Sequence, residues 1–134
     1  MSRWSFALLL ACFVTSGCHR RDLSPLETVK EYEDDIRHGN VGGAKGLLTA
    51  ERGKELNDLA LSVLAEEHNR QEEGVVSERR SAEMTGTSAK VIAVYGIKNR
   101  VRRTYTWELV REQGRWRING WEVELKTPPL NLSS

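Results

Sequence analysis

The stretch "YTWELVREQGRWRING", residues 105–120, decides the fold. Tyr105, Trp107 and Leu109 alternate with Thr106, Glu108 and Val110, the period of two that a half-buried strand shows. Glu112-Gln113-Gly114 then reads as a turn. Trp116 and Ile118 resume the alternation, but Trp121, Val123 and Leu125 continue it out of phase by one residue. A regular strand would turn one of these sets to solvent. Fully burying a large apolar side chain contributes roughly 1.5–3 kcal/mol, so stranding two or three costs more than disrupting one ladder position. The sequence therefore predicts a β-bulge at Asn119-Gly120, with both apolar sets on one face and the last strand bent. Gly120 would supply the positive φ that one bulge type requires, and Gly120→Val is expected to destabilise more than an ordinary surface change.

Working back along the chain, "VRRTYTWELVR" (101–111) places Arg103, Tyr105, Trp107 and Leu109 on one face. "AKVIAVYGI" (89–97) sets Val91, Ala93, Tyr95 and Ile97 against Lys90, Ile92 and Val94, and Lys98-Asn99 marks a tight turn. "VVSERRSAEM" (75–84) is a polar strand followed by the turn "TGTS". Four sequential strands with short turns form an antiparallel meander.

Upstream the period becomes 3.6. In "SPLETVKEYEDDIRHGN" (24–40), Ser24 and Glu27 form a capping box and Pro25 suits the first turn. Leu26, Val29, Tyr32 and Ile36 fall near one face, and Gly39 ends the helix. Asn40 caps a second, short helix to about Leu48. The glycines of "GNVGGAKGLLT" (39–49) lack the Lys-Ser/Thr of a phosphate loop and follow no strand, so they read as helix ends or close packing. Thr49 opens a third helix to about Glu73, with Leu56, Leu59, Ala60, Val63 and Leu64 as its apolar stripe and Gly74 as its stop. The plan is α+β: three N-terminal helices packed on one face of a curved four-stranded antiparallel meander.

The chain has 134 residues, enough for one domain, and its 39% hydrophobic and 29% charged composition excludes a disordered chain. A formal charge of +1 provides no field for nucleic acid. The charge is nevertheless uneven, with an acidic excess in Asp22–Glu73 and a basic excess in Val75–Lys126. Both cysteines, Cys12 and Cys18, lie near the amino terminus, so no disulfide framework or zinc cluster can be built from them.

The segment "FALLLACFVTSGCHRR" (6–21) explains that placement. Arg3 and the uncharged run Trp4–Val14 have the form of a signal peptide and are too short for a membrane span. "TSGC" resembles the lipobox of bacterial prolipoproteins, with Thr15 standing where that family prefers Leu, Val or Ile. The resemblance implies cleavage before Cys18, a diacylglyceryl thioether on its sulfur and acylation of its new amino group. His19, in place of the aspartate that marks inner-membrane retention, implies the periplasmic face of the outer membrane. The expected organisation is a lipoprotein signal peptide at 1–17, a lipidated linker at 18–23, the α+β domain at 24–126 and a flexible tail at 127–134.

Within the domain, "SPLETVKEY", "GNVGGAKGLL" and "YTWELVREQGRWRING" resemble the nuclear-transport-factor-2-like (SnoaL-like) superfamily, whose helices form a cone on a bent sheet. More narrowly, they resemble an uncharacterised domain of small bacterial lipoproteins. These motifs imply a fold and say little about function.

No catalytic set emerges from the residues. His19, His38 and His68 show no metal-ligand spacing, so neither a metal nor a cofactor is expected. Asp34 and Asp35 read as solvated, and no serine sits in a nucleophile motif. Tyr32, Tyr95, Tyr105, Trp107 and Trp121 are candidates to line a ligand pocket, although aromatics of this size serve first as core. Lys90, Arg102, Arg115 and Arg117 form a candidate basic surface on the opposite sheet face, suited to phosphorylated lipid heads or acidic glycans. The reading is a non-enzymatic, membrane-anchored envelope lipoprotein whose cone binds a small ligand or an envelope protein. The alternatives are an isomerase or hydrolase acting in the cone, and an accessory module that pairs through its sheet, for instance as a homodimer, using outward residues such as Ile92 and Val94.

Overall fold

The computed structural model describes residues 22–129. Residues 1–21, with the expected signal peptide, Cys18 and His19, lie outside the described residues, as do residues 130–134. Helix α1 spans Pro25–Arg37, α2 Val41–Gly46, α3 Ala50–Glu55 and α4 Asp58–Glu72. Strands β1 (Val75–Thr85), β2 (Ser88–Ile97), β3 (Arg102–Glu112) and β4 (Arg115–Lys126) form one antiparallel sheet in sequential order. The meander is the one read from the alternation.

The α1 start is the capping box: Glu27 N donates to Ser24 Oγ (3.2 Å) and Ser24 N to Glu27 Oε2 (3.4 Å). Pro25, Thr28, Val29, Tyr32, Glu33 and Ile36 are buried, an i, i+3, i+4 stripe of the width a core-facing helix needs. Gly39 closes α1 at φ 72°, and Asn40 Oδ1 accepts from Gly43 N (3.1 Å) to start α2.

The expected single helix from Thr49 to Glu73 is two helices, so four helices cover the sheet rather than three. Leu56 is extended (φ −99°, ψ 96°), and Asn57 caps a new helix by accepting from Ala60 N (2.8 Å). Asn at an N-cap satisfies an otherwise unpaired donor, which makes a restart inexpensive. The break resets the helical phase. Leu61 and Ala65 are buried and Leu64 partly so, whereas Leu59 and Val63, expected in the stripe, are 73% and 59% exposed.

The bulge lies where the phase conflict placed it. Glu108 pairs with Gly120 but Leu109 with Ile118, leaving Asn119 as the extra residue. Trp107 stands opposite Trp121, so Trp116, Ile118, Trp121, Val123 and Leu125 all share the helix-facing side. Trp116 and Ile118 are buried and Trp121 partly so, but Val123 and Leu125 extend beyond the helices and stay 50% and 57% exposed. The α2–α3 link docks on the free edge here: Thr49 N donates to Ile118 O and Ile118 N to Leu47 O, both 2.9 Å. Arg52 Nε donates to Asn119 O (2.9 Å), so the bulged peptide has a partner.

Gly120 does not have the expected positive φ; the glycines that do are Gly39, Gly74, Gly86 and Gly114. What it supplies is room, because a Cβ there would lie 3.0 Å from Arg52 Nη2. Gly120→Val therefore requires the partly exposed Arg52 side chain to shift, and the expected loss in chemical denaturation is at most its hydrogen bond to Asn119 O, about 1.5 kcal/mol. Arg52→Ala in the same background should add little, because the two changes share one interaction.

Candidate functional site

The inner faces of the sheet and of α1 and α4 enclose a row of aromatic rings. Tyr95 meets Tyr105 edge-on at 5.7 Å, Tyr105 stacks on Trp107 at 5.7 Å, and Trp107 meets Trp121 at 5.3 Å. Tyr32 of α1 lies across the last two, 5.5 Å from Trp107 and 5.8 Å from Trp121. Beside this row is a cavity of about 130 Å3 lined by Tyr32, Ile36, Leu64, Glu67, His68, Gln71, Tyr105, Trp107, Trp121 and Val123. Four of the five aromatic candidates line it. Tyr95 lines the adjoining narrow cleft with His68, Gln71, Arg103 and Tyr105.

The polar groups of the cavity come chiefly from α4. Tyr105 OH donates to Gln71 Oε1 (2.6 Å), and Gln71 Nε2 donates to Glu67 Oε1 (2.7 Å). Arg103 Nη1 donates to Gln71 O (3.2 Å), fixing that turn of the helix against β3. Trp107 Nε1 and His68 Nε2 are buried without a hydrogen-bond partner among the described residues. Burial raises the Tyr32 and Tyr105 hydroxyl pKa values above the ordinary tyrosine value, and neighbouring carboxylates add to this, so both stay protonated donors.

His68 lies outside the apolar stripe expected from the sequence, yet it is an inner-face residue, with its side chain 15% exposed. The phase error of α4 hid it. Counting from the Asn57 cap, Leu61, Leu64, Ala65 and His68 form the inward stripe. Glu72, one turn on, holds the helix end to α1 by accepting from Arg37 Nε (2.9 Å) and Nη2 (2.5 Å). The hydrogen bond from Arg37 is the main cause of a lowered Glu72 pKa. A depressed carboxyl pKa contributes stability that is present above its ordinary value of 4.5 and lost as pH falls through the folded-state value. Glu72→Gln should therefore flatten the decline in stability below pH about 4.5 measured by urea denaturation. An unchanged acid limb would show that the pair is inert.

A second polar cluster lies behind the aromatic row and was absent from the sequence reading. Glu33, 2% exposed, accepts from Tyr95 OH (2.8 Å) and pairs with Arg80 Nη2. Arg80 also pairs with Glu78 and lies over the Tyr95 ring at 5.9 Å. Burial alone would lower the Arg80 pKa, but Glu33 outweighs it and keeps the guanidinium firmly charged. The α1 stripe 25, 28, 29, 32, 33, 36 did carry the signal for Glu33. Strand β1 is polar on both faces, so nothing local singled out Arg80.

The basic candidates do not form one surface. Lys90 sits between Glu83 and Glu108 on neighbouring strands. Arg115 is opposite Glu112, and Arg117 lines a groove with Lys45, Lys54 and Glu112. Arg102 is at the other end of the sheet, where it lines an open groove of about 620 Å3 with Lys98, Arg100 and Lys126. Among the described residues, no group of three or more His, Cys, Asp or Glu is placed to hold a metal, and no helix is long and apolar enough to cross a membrane.

No protein-family model matches the chain, and no curated protein matches it either. Solved structures do match in fold. A Campylobacter jejuni protein bearing the name NTF2-like transpeptidase superposes with a TM-score of 0.55 at 13% identity, covering 72% of this chain and 99% of that one. A Cytophaga hutchinsonii NTF2-like protein of unknown function is more distant, with a TM-score of 0.43 at 11% identity over 80% of this chain and 94% of that one. The first likeness, together with four helices on one face of a bent meander, defines the class: an α+β cone of the nuclear-transport-factor-2-like kind. At this identity it defines the fold alone.

Proposed function

We propose that the protein is a bacterial envelope lipoprotein, anchored through acylated Cys18 on the periplasmic face of the outer membrane, whose cone binds a small molecule without transforming it. The observation that carries the binding reading is the cavity of about 130 Å3, walled by aromatic rings. Mostly apolar concave sites with a few placed polar groups are the usual form of small-molecule sites. The anchor reading rests on "TSGC" and the preceding apolar run. Two or more acyl chains hold a protein stably to a bilayer, at about 0.8 kcal/mol per buried CH2. Mass spectrometry of the mature protein from its host should show Cys18 at the amino terminus carrying diacylglyceryl and N-acyl groups. An intact signal segment, or cleavage elsewhere, would overturn the anchor.

A second reading, pairing of two copies through their sheets, is supported by the outer face. Ile92, Val94, Thr104, Thr106 and Val110 lie on it half-buried, with Arg79 on the β1 side and Glu122 and Glu124 on β4. A two-fold axis along the strands would set the Arg79 edge of one copy over the acidic edge of the other. Sedimentation should then show a dimer that weakens with salt, and a strict monomer at high concentration would exclude it.

A further inference from the structure

The groove at the β2–β3 turn, apart from the aromatic cavity, is cationic. Its volume is about 620 Å3, and its charged lining residues are Lys98, Arg100, Arg102 and Lys126, with no aspartate or glutamate. All four are exposed. Arg102 and Lys126 stand directly opposite each other on β3 and β4. Like charges so placed on neighbouring strands are destabilising. Elsewhere Arg37, Arg52 and Arg80 pair with the carboxylates of Glu72, Glu55 and Glu33. Among the described residues, Lys98, Arg100 and Arg102 form no salt bridge, and Lys126 has only an exposed contact with Glu124 at 3.8 Å. Residues 1–21 and 130–134 contain no aspartate or glutamate, so no side chain there can neutralise the groove.

The turn that carries two of these cations is held at a conformational cost. Asn99 and Arg100 both have positive φ, 70° and 62°. Asparagine tolerates this region and glycine is unhindered in it, whereas the Cβ of an arginine is crowded there. Ile97 N donates to Val101 O (2.8 Å) and Lys98 N to Gly74 O (3.2 Å), which fixes the turn beside Arg102 and Lys126. Strain of this kind persists where the surrounding structure over-determines it, commonly at ligand clamps. Directly opposed strand residues have Cβ atoms about 4.5–5.5 Å apart. A phosphate group, with its concentrated charge and three acceptor oxygens, suits two cations at that spacing, and guanidinium pairs with it through two parallel hydrogen bonds. The groove is also within the size range of small-molecule sites. We infer that it binds a small phosphorylated molecule carrying at least two negative charges, held by Arg102 and Lys126 and reached by Arg100. This site does not depend on ligand binding in the aromatic cavity.

Three probes titrated into the full chain at low salt, followed by calorimetry, test this: inorganic pyrophosphate, succinate, and glycerophosphoglycerol, a singly charged phospholipid headgroup without its acyl chains. Pyrophosphate should bind most tightly. Arg102→Gln and Arg100→Asn should each weaken it about tenfold. Lys90, which sits between Glu83 and Glu108, is the control: Lys90→Gln removes the same charge outside the groove and should change the affinity less than about twofold. Added salt should weaken binding, because exposed charges are screened. The urea midpoint of Arg100→Asn should be unchanged or raised, since asparagine accepts the positive φ. A lowered midpoint would mean that the arginine serves the turn and not an anion. No pyrophosphate binding, or equal affinity in all four proteins, would overturn the site, and an equal loss in Lys90→Gln would reduce it to overall charge. Succinate binding as tightly as pyrophosphate would overturn the choice of phosphate. Glycerophosphoglycerol binding as tightly would overturn the need for two charges and assign the groove to a lipid headgroup.

Discussion

Arg80→Ala is expected to destabilise the domain by about 3–5 kcal/mol, read as a shift in the urea midpoint with an unchanged slope. The Glu33 side chain is 3% exposed and that of Arg80 16%, so the pair is largely out of water. Removing the guanidinium leaves a carboxylate buried against Tyr95 with one neutral donor, the Tyr95 hydroxyl at 2.8 Å. Desolvating a charge without its counter-ion is the expensive step; the pair as a whole is not strongly stabilising. The double substitution Glu33→Leu with Arg80→Met should therefore return most of the lost stability, to within roughly 1–2 kcal/mol of the natural chain. Additive losses in the double variant would mean that each residue acts through packing instead. A single Arg80→Ala change costing less than a typical surface substitution would show that water reaches Glu33.

Trp107→Ala should cost about 3–5 kcal/mol, the range for deleting a buried aromatic from a close-packed interior. Trp107 occupies the middle of the ring row, touching Tyr32, Tyr105 and Trp121, and no neighbour can collapse into the gap without leaving its own contacts. Trp121→Ala should cost clearly less. Trp121 is only partly buried and sits beside Val123, which is half in solvent, so the removed ring is partly replaced by water. The near-ultraviolet circular dichroism of the native state should lose more intensity for Trp107→Ala, because it breaks three ring contacts. Equal losses in stability at the two positions would contradict the depth order of the cavity wall.

Some of this was legible before any tertiary contact was known. Val91, Ala93 and Tyr95 alternate inward, and Tyr105, Trp107 and Leu109 do the same, because a strand's side-chain period of two leaves no choice once one face is buried. The bulge at Asn119 followed from two apolar sets in opposite phase, since only an extra residue puts Trp116 and Trp121 on one side. The start of α1 at Ser24 and its stop at Gly39 are local chemistry, a reciprocal cap and a positive φ. Tyr105, Trp107 and Trp121 reached the cavity because the strand alternation already aimed them inward, and Tyr32 because it lies on the buried stripe of α1.

Other features depended on partners far away in the chain. Leu56, Leu59, Ala60, Val63 and Leu64 make an acceptable helical stripe alone, and the competing stripe Leu61, Leu64, Ala65 and His68 wins because the cap at Asn57 and the docking of Thr49 on Ile118 set where α4 begins. That choice carried His68 into the cavity. Arg80 is indistinguishable from Arg79 in sequence, and is drawn inward by a carboxylate 47 residues earlier. Asn119-Gly120 was placed correctly, but the reason for the glycine, the approach of Arg52, belongs to a helix nearly seventy residues away. The amino-acid sequence by itself determined the period and phase of each strand and the caps at the ends of α1, because these depend on neighbours within one turn or one pleat. Only the tertiary structure decided which face of α4, which arginine of β1 and which donors meet at the cavity, because burial of a charge or a polar atom is set by the partner that space, not sequence, brings to it.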